Sequence, residues 1–371
     1  LDPTLTKQTL PSGPSNAVTD DMKPETKIHI DSMALARLST AQLAEAALRD
    51  ESVDLILAIG ANMGEWNTSG FCDSLLNERL VHIDESEDHL ARTPMARFHM
   101  RGRIVSIFNR LIERINALRQ ETRVEIERRR ATREMINLNW DPDSILAAPQ
   151  SYVSDATPIK PQRLMKELGM AFPPSTCFLV DTGNSVAWAT HYLHPADRRI
   201  SERRLGGGNR KRTNGRRKSN GGWMRVTMNF AAMGWAIGGA VGTAAGNPHD
   251  PVVCITGDGS MLMNGQEISV AVHEKMTIIF IVLNDEALGM VKHGQRLAKA
   301  EQIGCEMPPT DFAMLARALG ATAHRVKSPE DLLKLDFDAM CHHPGPTLSD
   351  VLIDPDEIPP MNARMRVLGD G

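Results

Sequence analysis

Two long apolar runs near the C-terminus, each ending in an acidic turn, constrain this chain more than any other feature. The first, Val252 to Thr256, reads VVCIT and leads into Gly257-Asp258-Gly259. The second, Thr277 to Asn284, reads TIIFIVLN and leads into Asp285. Neither run alternates polar with apolar residues. Both are therefore expected as strands buried on two faces, the condition of a parallel sheet with helices on either side. A parallel strand–helix–strand crossover brings both strand ends to the same sheet edge. Asp258 and Asp285, 27 positions apart, are expected there side by side.

Around this pair the pattern reads as a doubly wound α/β domain over residues 161–357. A helix is predicted from Pro161 to Gly169, a strand from Thr176 to Asp181, a turn at Gly183 and a helix from Val186 to His191. The segment Met228 to Gly246 is uncharged and close to the length of a membrane span. It consists mostly of Gly and Ala with few large aliphatics, so insertion would be marginal. A buried helix in tight contact with a ligand and with other backbones explains the small residues better. Helices are predicted further on from Gln266 to His273, Leu288 to Lys299, Phe312 to Leu319 and Pro329 to Ala339. Strands are predicted from Thr322 to Val326 and Thr347 to Asp354.

Residues 40–137 read as a partial Rossmann-like domain with a helical extension. Ala41 to Asp50 has a helix pattern, while Val53 to Ile59 and Leu80 to Ile83 are short buried strands. From Arg101 to Asn137 apolar residues recur at helical spacing, and the charged run Arg123 to Arg133 is expected on a solvated face. Residues 1–39 lack periodicity and are expected as a disordered lead-in. The start at Leu1 reads as a fragment or processed product. Three prolines, Pro142, Pro149 and Pro158, mark a linker over 138–160. Residues 198–220 form a basic, glycine-rich insertion expected as a surface loop, with polyanion binding as the sharper alternative. Residues 358–371 are a tail.

A net charge of −4 argues against bulk nucleic-acid binding. The five cysteines are scattered without paired spacing and are expected as buried thiols of a cytoplasmic protein. Cys341-His342-His343 cannot easily converge on one ion and is expected as a loop. His82 is expected to be structural, and Asp54, Asp84 and Asp181 to cap their turns. Asp258 and Asp285 escape that ordinary reading because spacing couples them and glycines flank them. Two loop carboxylates suit Mg²⁺, which prefers one or two carboxylates plus phosphate oxygens and water. The glycines would let the backbone approach a diphosphate, and a helix N-terminus would favour its charge.

The spacing matches the diphosphate signature of thiamine diphosphate (ThDP) enzymes, which is GDG, about two dozen residues and then a pair of amides; here the last pair is Asn284-Asp285. GDGSMLMNGQE, VLND with GMV after it, IKPQRLMKEL, VDTGNSVAW and GPTLSDVLIDPDEIPPM occur in the order found in the acetolactate synthase large subunit. The chain resembles that family over nearly all of its ThDP domain, and more weakly where LAIGANMGEW and HIDES resemble the middle domain. The resemblance implies Mg²⁺ on Asp258, Asp285 and the Ala287 carbonyl. It implies diphosphate contacts at Gly257, Gly259 and Ser260, and a second contacting loop at Gly183, Asn184 and Ser185. Met233 would grip the aminopyrimidine, and Gly289, Met290 and Val291 would lie near the thiazolium and substrate. The implied activity is decarboxylation and carboligation of a 2-oxo acid such as pyruvate by a homo-oligomer. A decarboxylase, an oxidase or a non-catalytic ThDP-binding fragment is the alternative.

The chain departs from the family pattern at several positions. Asp285 stands where the family has Asn, and Ala231 where it has Gly. Gly294 replaces a bulky aromatic of the substrate pocket. Asn62-Met63 replaces an Arg-containing turn that contacts FAD, so FAD is not expected. The family's activating glutamate belongs to a pyrimidine-binding domain with no match here, so no catalytic residue is expected in this chain.

Overall fold

The computed structural model describes residues 48–51, 53–65, 67–68, 70–121, 146, 148–173, 175–193, 224–227 and 230–360. The expected lead-in 1–39, the charged run 123–133, the basic insertion 198–220 and most of the tail lie outside the described residues. So does most of the helix predicted from Ala41 to Asp50. The described residues form two α/β units.

The first unit is a three-stranded parallel sheet in the order β1 (Ile56–Ile59), β2 (Leu80–Asp84), β3 (Phe98–Arg101). Helix α1 (Glu87–Leu90) joins β2 to β3, and α2 (Ile104–Glu121) follows. The central strand β2 is buried throughout. A small core of Ala58, Met63, Leu75 and Leu80 holds the unit together. His82 is structural: its Nδ1 lies 2.9 Å from Thr93 Oγ1 and its Nε2 3.0 Å from the Ala61 carbonyl. Asp84 accepts the Ser86 N–H at 2.8 Å and turns the chain into α1, as a capping carboxylate should. The helix expected from Arg101 begins three residues later, because Arg101 pairs with Asp84 in the ladder. Strand β3 reads FHMR and is largely exposed, so no apolar pattern announces it.

The second unit takes in part of the segment 138–160 expected as a linker. Leu146 and Ile159 are buried in its core, and Ile159 bridges Ile353. The chain then runs through α3 (Pro149–Tyr152), α4 (Pro161–Ala171), β4 (Cys177–Val180), α5 (Asn184–Tyr192), β5 (Met224–Val226), α6 (Trp235–Gly246) and β6 (Val252–Gly257). Helix α7 (Asp258–Asn264), a 3₁₀ turn (Gly265–Glu267), α8 (Ile268–His273), β7 (Ile278–Asn284) and α9 (Gly289–Leu297) follow. The last elements are α10 (Phe312–Ala318), β8 (Thr322–Val326), α11 (Pro329–Leu333), α12 (Phe337–His342) and β9 (Thr347–Leu352).

The six strands are all parallel in the order β5-β4-β6-β7-β9-β8. Successive strand residues point to opposite faces. Phe178, Val253, Ile255, Ile279 and Ile281 meet Leu164 and Leu168 of α4 and Trp188 and Tyr192 of α5. Leu179, Val252, Cys254, Phe280 and Val282 meet Ala236 and Ala240 of α6, Ile268 of α8 and Phe312 of α10. With a helical layer on each side, β6 and β7 have no solvent face, which is why neither alternates. This is the doubly wound α/β fold expected from the sequence. None of the five cysteines forms a disulfide, and Cys177, Cys254 and Cys305 are buried.

Three helix boundaries differ from expectation. The Gly/Ala helix begins at Trp235 and not at Met228, because Ala231 (φ 52°) and Gly234 (φ 84°) adopt left-handed conformations that break it. Its burial is one-sided: Ala236, Ile237, Ala240 and Ala244 face the sheet, while Gly238 and Gly242 are exposed. The segment predicted from Gln266 opens as a 3₁₀ turn. The helix predicted from Pro329 to Ala339 is two helices, and the Asp336 carboxylate caps the second by accepting the Ala339 N–H at 2.9 Å. Among the described residues, no helix is long and apolar enough to cross a membrane.

Candidate functional site

Strand β6 is hydrogen-bonded to both β4 and β7, so the carboxyl ends of these three strands lie together. The chain passes from β4 outward to β5, then returns to β6 on the other side of β4. In an open α/β sheet such a reversal leaves a crevice at the carboxyl ends of the strands, where ligands bind. Gly183, Asn184 and Ser185 stand at the end of β4. Gly257 closes β6, and Asp258, Gly259 and Ser260 open α7. The turn after β7 carries Asp285 and Ala287, and α9 begins with Gly289, Met290 and Val291.

Asp258 is 3% exposed. Its Oδ1 accepts the Gly259 N–H at 2.7 Å, while its Oδ2 is buried with no hydrogen-bond partner among the described residues. Burial pushes the Asp258 carboxyl above the usual carboxylate range, although the N–H groups of Gly259, Ala287 and Glu286 pull it back. Burial, and then the charge of Asp258, push Asp285 up as well, with Lys292 opposing. A buried and a half-buried carboxylate on adjoining strand ends cannot both stay ionised cheaply: they keep a proton or recruit a cation. A second buried oxygen, Asn184 Oδ1, also lacks a partner among the described residues. No three His, Cys, Asp or Glu side chains group for a metal among the described residues. A cation at the pair would therefore need further oxygens from the backbone and from a ligand.

The glycines hold this geometry by leaving space. A Cβ at Gly289 would lie 2.4 Å from Asn184 Nδ2 and 2.6 Å from Asp285 Oδ2. A Cβ at Gly259 would lie 2.9 Å from Leu288 Cδ2 and 3.2 Å from Met233 Cε, which puts Met233 at the site. The turn after β7 is braced from outside: Leu288 N–H donates to the Cys305 carbonyl at 2.7 Å, and Met307 N–H to the Glu286 carbonyl at 2.9 Å. Gly289→Ala should force Asn184 and Asp285 apart. The expected result is an affinity for Mg²⁺ and ThDP about tenfold weaker, the scale seen when support of a metal ligand is lost. Calorimetric titration beside a denaturation curve checks it, because the fold should change little.

Asp181 is the important residue that sequence reasoning under-read. It does cap its turn, with Oδ1 accepting the Thr182 N–H at 3.0 Å. Its Oδ2 also accepts the Gly234 N–H and the Thr256 hydroxyl, each at 2.9 Å. One fully buried carboxylate thus ties together the end of β4, the turn beside Met233 and the end of β6. Asn284 was passed over in the same way. Its Nδ2 donates to Asp350 Oδ1 at 2.8 Å and to the Thr310 carbonyl at 3.2 Å, anchoring the strand end next to Asp285. The partners of both residues are remote in sequence, so no local signal announced them.

Ala231 occupies the left-handed region where the family pattern has glycine. Ala231→Gly should stabilise the fold by about 1 kcal/mol by relieving that conformation. Urea denaturation measures the gain. Cys341 and His342 belong to the end of α12 and not to a loop. His342 Nδ1 lies 2.8 Å from the Asp338 carbonyl, and His343 Nε2 lies 3.1 Å from Thr322 Oγ1. Several apolar side chains beside the crevice are exposed: Phe230, Met233 and Trp235 before and in α6, Leu262 and Met263 on α7, and Val291 on α9.

Residues 209–351 match the family model for the thiamine pyrophosphate enzyme C-terminal TPP binding domain. A Mycobacterium tuberculosis protein named as an acetolactate synthase large subunit is 28% identical over 323 residues, covering 84% of this chain and 50% of that protein. The acetolactate synthase large subunit of Cyanidium caldarium is 23% identical, covering 85% of this chain and 50% of its own length. The isozyme 3 large subunit of Escherichia coli is 25% identical, covering 81% and 47%. The chain thus spans about half the length of the curated relatives it matches. Over residues 209–351 the chain is similar to the C-terminal TPP binding domain of thiamine pyrophosphate enzymes, and along most of its length it is similar to the acetolactate synthase large subunit.

Proposed function

We propose that this chain holds the diphosphate of ThDP through Mg²⁺ at Asp258, Asp285 and the Ala287 carbonyl, in the service of 2-oxo acid decarboxylation and carboligation. The observation that carries the reading is the buried Asp258 beside the half-buried Asp285 at the sheet's reversal point, with Asp258 Oδ2 lacking a partner among the described residues. The donor set suits the cofactor. Hard oxygens come from two loops, and a Cβ at Gly289 would collide with the Asn184 and Asp285 side chains that present them. Asn184 and Ser185 would orient the diphosphate, and Met233 would support the aminopyrimidine. Bound ThDP would supply the nucleophilic carbon that adds to the oxo acid and accepts its electrons as CO₂ leaves. The protein's part is to hold, orient and exclude water.

The substrate of this reading is pyruvate, the setting is the cytoplasm, and a further copy of the chain would cover the exposed apolar residues beside the crevice. Calorimetric titration of ThDP with Mg²⁺ present and absent tests the binding. Saturable, Mg²⁺-dependent binding is expected, and equal weak binding in both conditions would overturn it. Turnover of pyruvate to 2-acetolactate is assayed separately. Binding without turnover would favour the second reading, in which these residues act as a cofactor-binding module alongside a further domain. That reading is motivated by the half-length coverage of the relatives.

A further inference from the structure

We propose that His82, Thr93 and His99 form a proton-operated latch on the first α/β unit. It holds the turn after β1 shut while His82 is neutral and releases that turn in mild acid. The inference stands apart from the cofactor reading of the second unit.

The hydrogen bonds leave one arrangement for the neutral state. His82 and Thr93 have no exposed surface, so their polar atoms need partners inside the protein. The Ala61 carbonyl, 3.0 Å from His82 Nε2, can only accept, so Nε2 carries the hydrogen. His82 Nδ1 is then a bare acceptor, and the Thr93 hydroxyl donates to it at 2.9 Å. On the outer side, the exposed His99 places its Nε2 2.9 Å from the Thr93 carbonyl and 3.0 Å from the Thr93 hydroxyl oxygen. The N–H of His99 therefore donates to both. A hydrogen-bonded chain runs from His99 at the surface through Thr93 and His82 to the turn at Ala61.

The same atoms offer a second arrangement. A proton on His82 Nδ1 turns it from acceptor to donor. The Thr93 hydroxyl must then swing to the Leu90 carbonyl, 3.1 Å away, and accept from His82. The cost is electrostatic, because an imidazolium forms at a fully buried ring. Three titratable groups face it. Asp84 on its own strand lies 4.0 Å from Nε2, His89 of α1 holds that carboxylate at 3.0 Å, and His99 of β3 has its ring centroid 6.4 Å away. Arg92, just after α1, turns instead to Asn62 Oδ1 at 2.8 Å. Asp84 is the one counter-charge among these groups, and His89 already shares it. Burial outweighs that help and pulls His82 below the usual histidine range. The charged state therefore favours loosening of the Ala61 turn. Its backbone at Gly60 is left-handed (φ 59°), and the Gly60 N–H ties it to the Ile83 carbonyl at 2.8 Å.

Hydrogen exchange of the full chain across pH, read strand by strand, tests the latch. The folded form prefers neutral His82, so the latch is complete above the usual histidine range and is lost as pH falls through it. From about pH 7.5 to about pH 5.5, opening of β1 and the Gly60 turn should rise several-fold relative to β6 and β7, after correction for intrinsic exchange, and by no more than about tenfold per pH unit, the limit for one proton. His82→Gln can still donate to the Ala61 carbonyl but takes up no proton, so it should abolish that rise. Nitrogen NMR of the parent's histidine rings gives a reading that needs no variant. His82 should carry its hydrogen on Nε2 at neutral pH and titrate below free histidine. Equal loosening of β1 and β6, loosening that survives His82→Gln, or a His82 ring with its hydrogen on Nδ1 at neutral pH would overturn the inference.

Discussion

Asp258→Ala is expected to lower the Mg²⁺-dependent affinity of this chain for ThDP by about a hundredfold or more, the upper end for damage to a metal site. Its folding stability should stay within about 1 kcal/mol of the parent. The two halves of the prediction have different causes. Binding falls because the substitution removes the one carboxylate oxygen at the crevice that, among the described residues, is buried without a partner. Stability holds because the lost carboxylate was itself a burden: it is desolvated and it raises the cost of ionising Asp285. What is forfeited is one short bond, to the Gly259 N–H, with the weaker pull of the Ala287 and Glu286 N–H groups. A carboxylate with a structural role would show the reverse pattern, with a large stability loss and little change in cofactor affinity per folded molecule. Titration calorimetry and chemical denaturation on the same preparation separate the two.

Asp181→Ala should show that reverse pattern. Removing the carboxylate strands the buried Gly234 N–H and the Thr256 hydroxyl, and each orphaned group costs about 1–3 kcal/mol. A total loss on the order of 3 kcal/mol is expected in urea or guanidinium denaturation. Asp181→Asn keeps one oxygen, which can still face Gly234 and Thr256, and should recover most of that loss. If Asp181→Ala costs less than about 1 kcal/mol, the carboxylate does not tie the three loops as the geometry implies. ThDP affinity should fall as well in the folded fraction, because the Met233 turn loses the anchor at Gly234. Position 234 itself admits only glycine, because its backbone is left-handed and a Cβ would approach Asn264 Cγ to 2.6 Å.

The contrast between these two aspartates shows where sequence reasoning reaches and where it stops. Asp258 and Asp285 stood out because each ends an apolar run too long and too uniform to be anything but a doubly buried strand. A parallel crossover then leaves little choice about where the two ends meet. Asp181 also ends an apolar run, yet it reads as an ordinary turn cap, because its partners Gly234 and Thr256 are 53 and 75 residues away. Nothing in a local window couples such positions.

The same distinction runs through the fold. Hydrophobic burial on both faces wrote β6 and β7 into the sequence as unbroken apolar runs, and one-sided burial wrote the helices that cover them. Strands β3 and β5 have no such pattern. FHMR and MRV are strands because β2 and β4 offer them backbone partners, and that interaction is not encoded in side-chain periodicity. Helix boundaries belong to the same class. The start of α6 depends on left-handed backbone at Ala231 and Gly234, and the break before α12 on the Asp336 cap.

By itself the sequence determined the two buried strands, the acidic residue at the end of each and the parallel topology that must bring those residues to one edge. Only the tertiary structure decided what the crevice contains. It left Asp258 Oδ2 buried without a partner among the described residues, set Asn184 beside Asp285 over Gly289, and bound three loops through Asp181. The physical reason is range. Apolar periodicity is a local record of burial, whereas the satisfaction of a buried polar atom is settled by groups that meet only after the chain has folded.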